Sequence, residues 1–438
     1  MPPNPPPRPP TTEKHVPATG DTPRRGGPIL LAAFPRPVAV PLPESGVEVG
    51  REWLARAGLP DSKVSTSHLR FRRAGGQVEI EDLNSSNYTW VNGGRLAPYT
   101  PAVLVDGAIL RIGGSLLVYR ADFEGPLQPQ PPLGGLAGPW TLGRVRARLD
   151  ALRARPVHSV LLQGETGTGK ELLAREVASA LGRPKERFVA VNITSIPREM
   201  FEAHLFGSVR GAYSGSVQTN LGVIREQDHG AVFLDEIGDL APDLQPKLLR
   251  LLENREVHAI GAPRPVPVDV SLIAATNRGL EEMVKHDSFR RDLLARFPVR
   301  IALPPLRSRP EDLFAVLTSL WPRDLPPLDA SFIQVEAVEL LMLQTWLNNV
   351  RDLVSVIANI DPTVPVKRSA LLMVFGVEAS AVAPTPLPAF EALERALTAC
   401  NENKVQAAKR LGISRPALLR LLKKREAARS AAPPSQKT

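Results

Sequence analysis

Apolar positions along this chain follow three different patterns in turn. Between about 28 and 123, short apolar runs alternate with turn residues. Val47–Val49, His68–Phe71, Val78–Ile80, Thr89–Val91, Ile109–Ile112 and Leu116–Tyr119 read as strands. Gly75-Gly76, Asn92-Gly93-Gly94, Asp106-Gly107 and Gly113-Gly114 punctuate them, and closely spaced strands with such turns predict a β-sandwich. From Trp140 to about Gly376, strand-length runs alternate with helical stretches. Val157–Leu162, Phe188–Val191, Val232–Leu234, Val270–Ala274 and Val299–Leu303 are the strands, with Glu171–Leu181 and Asp243–Asn254 among the helices. That alternation predicts an α/β unit with a parallel sheet covered by helices. From about Phe390 the chain turns helical and basic, with Lys404–Leu411 and Arg415–Lys424 as helices around the turn Gly412-Ile413-Ser414.

Composition sharpens the boundaries. The 438 residues are 43% hydrophobic and 23% charged, as expected of a soluble multidomain protein. The 45 prolines cluster at the start, near 126–139 and near 384–388, and proline favours extended, solvated chain. The expected division is a tail at 1–27, a sandwich at 28–123, a linker at 124–139 and an α/β core at 140–306. A helical segment follows at 307–376, then a linker at 377–389, a helix-turn-helix at 390–427 and a tail at 428–438. A single cysteine, Cys400, excludes an intrachain disulfide and fits a reducing cytoplasm. No apolar run approaches the roughly 20 residues that span a bilayer, and the opening MPPNPPPRPP has no apolar core of a secretory signal. A net charge of +9 suits a polyanionic partner, although a solvated basic surface explains it equally well.

Chemistry concentrates where Val160–Gln163 runs into Gly164, Glu165, Thr166, Gly167, Thr168, Gly169, Lys170 and Glu171, followed by an amphipathic helix. Glycines let backbone N–H groups curl around phosphates, Lys170 supplies charge for the outer ones, and the helix aims its dipole at the same anion. Strand, glycine loop and helix together make a P-loop, with Glu171 in place of the usual Ser or Thr. A second apolar strand, Ala231–Leu234, ends in Asp235 and Glu236. Asp235 is placed to hold Mg2+ and Glu236 to polarise the attacking water.

These segments resemble the AAA+ domain of sigma-54 activators from about Trp140 to Val356. That family's P-loop reads GESGTGKE, which makes Glu171 a family feature, and its acidic segment is similar to His229–Leu240. The resemblance implies that Asn192 restrains the catalytic glutamate and that Asn277 is a first sensor. It also makes Arg290 and Arg296, six residues apart, arginine fingers acting on a neighbour's nucleotide. Leu303–Arg307 resembles the lead into the lid, placed at 307–376. Trp346–Leu353 resembles the second-sensor motif, with Arg351 kept and Leu347-Asn348 where the family has Pro-Gly. The family's GAFTGA loop, which engages sigma-54, is matched by Gly211, Ala212, Tyr213, Ser214, Gly215 and Ser216. Serine keeps the hydroxyl and loses one methyl, worth roughly 0.8 kcal/mol of burial, so the resemblance implies weakened rather than lost contact.

Gly50-Arg51, Ser65–His68 and Asp82–Gly93 resemble a forkhead-associated (FHA) domain over residues 28–123. The resemblance implies that Arg51, Ser65, Thr66, Ser86 and Asn87 contact a phosphothreonine peptide and that His68 braces the loop, with Tyr88 where the family has glycine. A guanidinium and hydroxyls suit a dianionic phosphate. The last segment resembles the Fis-type helix-turn-helix: Ser414 caps the second helix, and Arg415, Arg420, Lys423 and Lys424 remain for DNA. Together the resemblances imply an ATP-driven activator, a homo-oligomer (a hexamer by family likeness) acting on sigma-54 RNA polymerase from upstream DNA. A phosphothreonine protein or Ser/Thr kinase would regulate it. The alternative is a phospho-regulated DNA-binding adaptor or repressor that binds ATP without productive remodelling.

Overall fold

The computed structural model describes residues 26–212 and 218–376, together with Lys404 and Gln406. Tyr213, Ser214, Gly215 and Ser216 lie outside the described residues, as do Cys400, Ser414, Arg415, Arg420, Lys423 and Lys424.

The amino-terminal module is a sandwich of two antiparallel sheets. Its strands are β1 (Ile29–Phe34), β2 (Val38–Pro41), β3 (Glu48–Val49), β4 (Leu69–Ala74), β5 (Gln77–Asp82), β6 (Thr89–Val91), β7 (Gly94–Arg95), β8 (Ala102–Leu104), β9 (Ile109–Ile112) and β10 (Ser115–Arg120). A short helix, α1 (Arg51–Arg56), follows β3. One sheet runs β2-β1-β10-β9-β6-β7 and the other β3-β4-β5-β8. Strand β1 is buried at all six positions, and this explains its unbroken apolar sequence, ILLAAF. Leu30 and Ala32 face the sandwich core, Ile29 and Leu31 meet Trp140, and after a register shift at Ala33 the Phe34 side chain enters the core of the helical segment.

The α/β core begins with α2 (Leu142–Ala154), β11 (Ser159–Gln163), α3 (Lys170–Ala180), β12 (Phe188–Asn192), α4 (Arg198–Phe206) and α5 (Val223–Glu226). It continues with β13 (Ala231–Asp235), α6 (Gln245–Asn254), the ribbon β14 (Glu256–Val257) and β15 (Val266–Pro267), and β16 (Ser271–Thr276). The helices α7 (Leu280–Lys285) and α8 (Arg291–Ala295) and the strand β17 (Val299–Ala302) complete it. Every pair in the five-stranded sheet is parallel, in the order β12-β13-β16-β11-β17. An apolar cluster fills each face, one under α4–α8 and one under α2 and α3. In an open parallel sheet, ligands sit beyond the carboxyl ends of the strands.

The helical segment holds α9 (Leu313–Leu320), α10 (Val335–Met342), α11 (Val350–Ala358) and α12 (Arg368–Val374). Residues 126–139, expected to be a solvated linker, are extended but held. Leu133 and Leu136 bridge each other and are buried against the α2–α3 face, and the Arg146 guanidinium donates to the carbonyls of Pro131 (2.5 Å) and Pro132 (3.0 Å). Proline kept the segment extended, and its two leucines gave it a place to pack. Among the described residues no helix is long and apolar enough to cross a membrane.

Candidate functional site

The glycine loop links the carboxyl end of β11 to the first turn of α3, where four backbone N–H groups lack intrahelical partners. Gly169, at φ +103°, and Gly167, at φ +77°, occupy the left-handed region. A Cβ on Gly167 would lie 2.2 Å from the Asn348 carbonyl, so no larger residue fits beneath the turn that crosses it. Lys170 is buried, and its Nζ donates to the carbonyls of Gly164 (2.9 Å) and Glu165 (3.3 Å). Thr168 Oγ1 donates to the Glu165 carbonyl at 2.8 Å, which closes the loop on itself. Glu171 points away from the loop, paired with Arg175 at 2.8 Å across one exposed helical turn.

Parallel pairing brings the acidic strand end alongside. Asn192 and Asp235 are partners in register at the ends of β12 and β13. Glu236 follows in the left-handed region, at φ 58°, with Oε1 4.0 Å from Lys170 Nζ and Oε2 accepting from Asn277 N at 3.3 Å. Asn277 Nδ2 in turn donates to Thr166 Oγ1 at 3.1 Å. Lys170, Glu236, Asn277 and Thr166 therefore form one connected group at the carboxyl ends of the strands. Asn192 behaves differently from the expectation. Its Oδ1 accepts from Thr194 N (2.9 Å) and Thr194 Oγ1 (2.6 Å), so its hydrogen bonds cap the next turn and do not reach Glu236.

The helical segment closes over this group. Asn349, which the sequence reading passed over, is fully buried, with φ 54° and ψ −125°, a region normally left to glycine. Its Nδ2 donates to Thr166 O (2.9 Å) and Glu165 Oε2 (3.2 Å), and its Oδ1 accepts from Leu306 N (2.7 Å). Val350 N adds a bond to the Gly167 carbonyl at 3.1 Å. Arg307 pairs with Glu165 through both guanidinium nitrogens; this and the Asn349 amide hold the Glu165 carboxyl at about 2. Arg351 rises from the same turn, exposed, with its Cγ close over Gly167.

Arg290 and Arg296 lie elsewhere. Arg290 pairs with Asp292 (2.7 Å) beside the start of α6. Arg296 pairs with Glu253 (2.5 Å), and its carbonyl accepts from Ser159, the first residue of β11. The P-loop leaves the opposite end of that strand, so Arg296 lies toward the amino ends of the strands. Gly211 and Ala212 follow Ser208, which bridges to Asn220 and, in parallel, to Ile260.

In the sandwich, the five expected residues meet at one group of loops. Arg51 Nε donates to Val64 O (3.0 Å), Ser65 Oγ accepts from Ser86 N (3.2 Å), and Asn87 Nδ2 donates to Lys63 O (2.7 Å). Thr66 lies against Gly50, where a Cβ would fall 2.1 Å from its carbonyl. Buried His68 accepts from Ser65 N at 3.1 Å, and burial pushes its imidazole below the ordinary 6.5. Tyr88 takes φ 59°, the conformation glycine would have supplied, with the Arg95 guanidinium 3.2 Å above its ring.

Three family descriptions match in order: FHA domain over 47–113, Sigma-54 interaction domain over 141–302, and Bacterial regulatory protein, Fis family, over 390–424. The chain is 42% identical over 207 residues to the DNA-binding transcriptional activator HyfR of Escherichia coli, covering 47% of this chain and 31% of that one. It is 35% identical over 305 residues to the formate hydrogenlyase transcriptional activator of Salmonella typhimurium, covering 65% and 44%. It is 40% identical over 232 residues to the DNA-binding transcriptional regulator NtrC of Escherichia coli, covering 51% and 47%. The chain thus spans less than half the length of these relatives. Among solved structures, NtrX from Brucella abortus in complex with ATP matches at 26% identity and a TM-score of 0.46, covering 67% of this chain and 69% of that one.

Proposed function

We propose that this chain, which carries an FHA domain, a sigma-54 interaction domain of the AAA+ class and a Fis-family segment, hydrolyses ATP to remodel promoter-bound sigma-54 RNA polymerase. The observation that carries the reading is the meeting of Lys170, Glu236, Asn277 and Thr166 at the strand ends, under a turn that presents Arg351. In this reading the backbone of Gly164–Gly169 cradles the phosphates and Lys170 neutralises the outer ones. Mg2+, when bound, offsets phosphate charge; Asp235 would hold it, one carboxylate with nucleotide phosphates being a usual magnesium set. Glu236 orients the attacking water, Asn277 and Arg351 sense the terminal phosphate, and Asn192 stands beside the acidic pair.

Arg290 and Arg296 are half-exposed and their ion pairs are with Asp292 and Glu253, not with their own P-loop, which suits fingers offered to the next subunit of a homo-oligomer, by family likeness a hexamer. The segment Gly211–Ser216 would carry the resulting motion to sigma-54. Arg51, Ser65, Thr66, Ser86 and Asn87 would bind a phosphothreonine protein, and the carboxy-terminal helices would hold upstream DNA. All of these steps belong in the cytoplasm. The non-hydrolysing adaptor finds no support in the connected catalytic group. The decisive assay is open-complex formation by purified sigma-54 polymerase on a cognate promoter. The wild type should open it with ATP, and Glu236→Gln should bind ATP yet fail. A wild type that turns over ATP and binds DNA without opening any sigma-54 promoter would sink the proposal.

A further inference from the structure

The sandwich does not hang from the rest of the molecule; it is seated on the lid. Phe34 and Ile109, with Leu116 and Val118, share one buried cluster with Leu313 and Phe314, and the Phe34 and Phe314 rings meet edge-on at 4.9 Å. Two arginines make ion pairs across the seam. Arg111 Nε donates to Glu339 Oε2 at 2.8 Å with a second bond to Glu336 at 3.2 Å, and Arg120 NH2 reaches Glu311 at 2.6 Å and the Ser308 carbonyl at 2.7 Å. Arg111 and Glu339 are both nearly inaccessible to solvent. A seam of this kind behaves as a continuous core, because buried charges separated from their partners are costly.

Strand β6 runs straight from the phosphopeptide loops to that seam. It starts one residue after Ser86, Asn87 and Tyr88, and its central Trp90 lies under the Arg111 guanidinium at 4.3 Å. Its closing turn sets Gly93 so near α10 that a Cβ there would be 3.0 Å from Leu343 Cδ1. Three residues beyond Leu343, the Trp346 carbonyl accepts from Asn349 N, and the Asn349 side chain holds the P-loop at Thr166 and Glu165. A three-residue strand and one helix end thus separate the two binding sites.

We infer that phosphopeptide and nucleotide binding are coupled reciprocally through the seat of the sandwich on α9 and α10, with β6 and the Leu343–Asn349 segment as the connection. This rests on the proposed function of both sites and adds the route by which one regulates the other. A ligand that shifts the Ser86–Tyr88 loop must move β6, and β6 cannot move without disturbing Arg111 or Leu343. By linkage, each ligand must then change the other's affinity by the same factor.

The test uses the full chain, a non-hydrolysable ATP analogue, and a peptide pool with a fixed phosphothreonine and degenerate flanks, the unphosphorylated pool serving as blank. Saturating peptide should change analogue affinity on the order of tenfold, and saturating analogue should change peptide affinity by the same factor. Arg111→Gln and the milder Leu343→Ala, whose side chain is partly exposed, should bring that factor toward one while leaving each separate affinity within about twofold. Binding of both ligands with a factor of one, or a factor unchanged in both variants, overturns the inference and leaves the functional reading intact. If the phosphorylated pool does not bind at all, the reading of the sandwich and the inference fall together.

Discussion

Tyr88 shows how a residue can defy its backbone and stay. A tyrosine in the left-handed region costs roughly 1–2 kcal/mol. The Arg95 guanidinium over its ring returns about 0.5–1 kcal/mol at a site this exposed. The two nearly cancel, so Tyr88→Gly should leave stability within about 1 kcal/mol of the wild type, whereas Tyr88→Ala keeps the strain and loses the ring. Thermal unfolding of the full chain should rank the alanine variant lowest by about 1 kcal/mol; an alanine variant as stable as glycine would remove the argument. His68 makes a second residue-scale prediction. Its burial, opposed in part by the Asp82 charge, keeps the imidazole neutral below the ordinary 6.5. The unfolded chain takes up that proton first as pH falls, so stability is complete above about 6.5 and declines below it. The amino-terminal transition should therefore lose up to about 1.4 kcal/mol per pH unit between 6.5 and the folded value, and His68→Asn should flatten this slope.

At the scale of elements, the P-loop and the turn crossing it are a fitted pair. Gly167→Ala would drive a Cβ into the Asn348 carbonyl at a positive φ, so it should weaken ATP binding at least tenfold in a fluorescent-nucleotide titration, without unfolding the sheet. The loop, its flanking strand and helix, and the acidic end of β13 were all legible in sequence, because phosphate chemistry demands those residue types at those spacings. Strand β1 was not read as a strand, because residues buried on both faces carry no alternation to read. Helix α1 escaped for another reason: six residues are too few to show a period. Asn349 was silent because its work is done by tertiary hydrogen bonds to residues far away in the chain. Asn192 was expected to restrain the catalytic glutamate; the structure sets it in register with Asp235, and its short side chain meets Thr194, a local bond that motif likeness does not reveal.

At the scale of the whole molecule, Arg296 and the P-loop sit at opposite ends of strand β11, and Arg290 pairs with Asp292 rather than with the loop. If Arg290 and Arg296 serve a neighbour's nucleotide, two separately defective chains should repair each other in part. Lys170→Ala subunits supply intact arginines and Arg290→Ala subunits supply intact P-loops. ATP turnover of the mixture should exceed the sum of the two alone, and strictly additive rates would rule out a shared site. The segment at 126–139 has a different bearing on the assembly. Because Leu133 and Leu136 pack on the α2–α3 face and Arg146 holds Pro131 and Pro132, this stretch between the sandwich and the α/β core is fastened rather than slack. Splicing extra residues into that stretch would loosen the tether while leaving the Phe34–Phe314 and Arg111–Glu339 contacts of the seat in place, so coupling carried by the seat should survive the insertion.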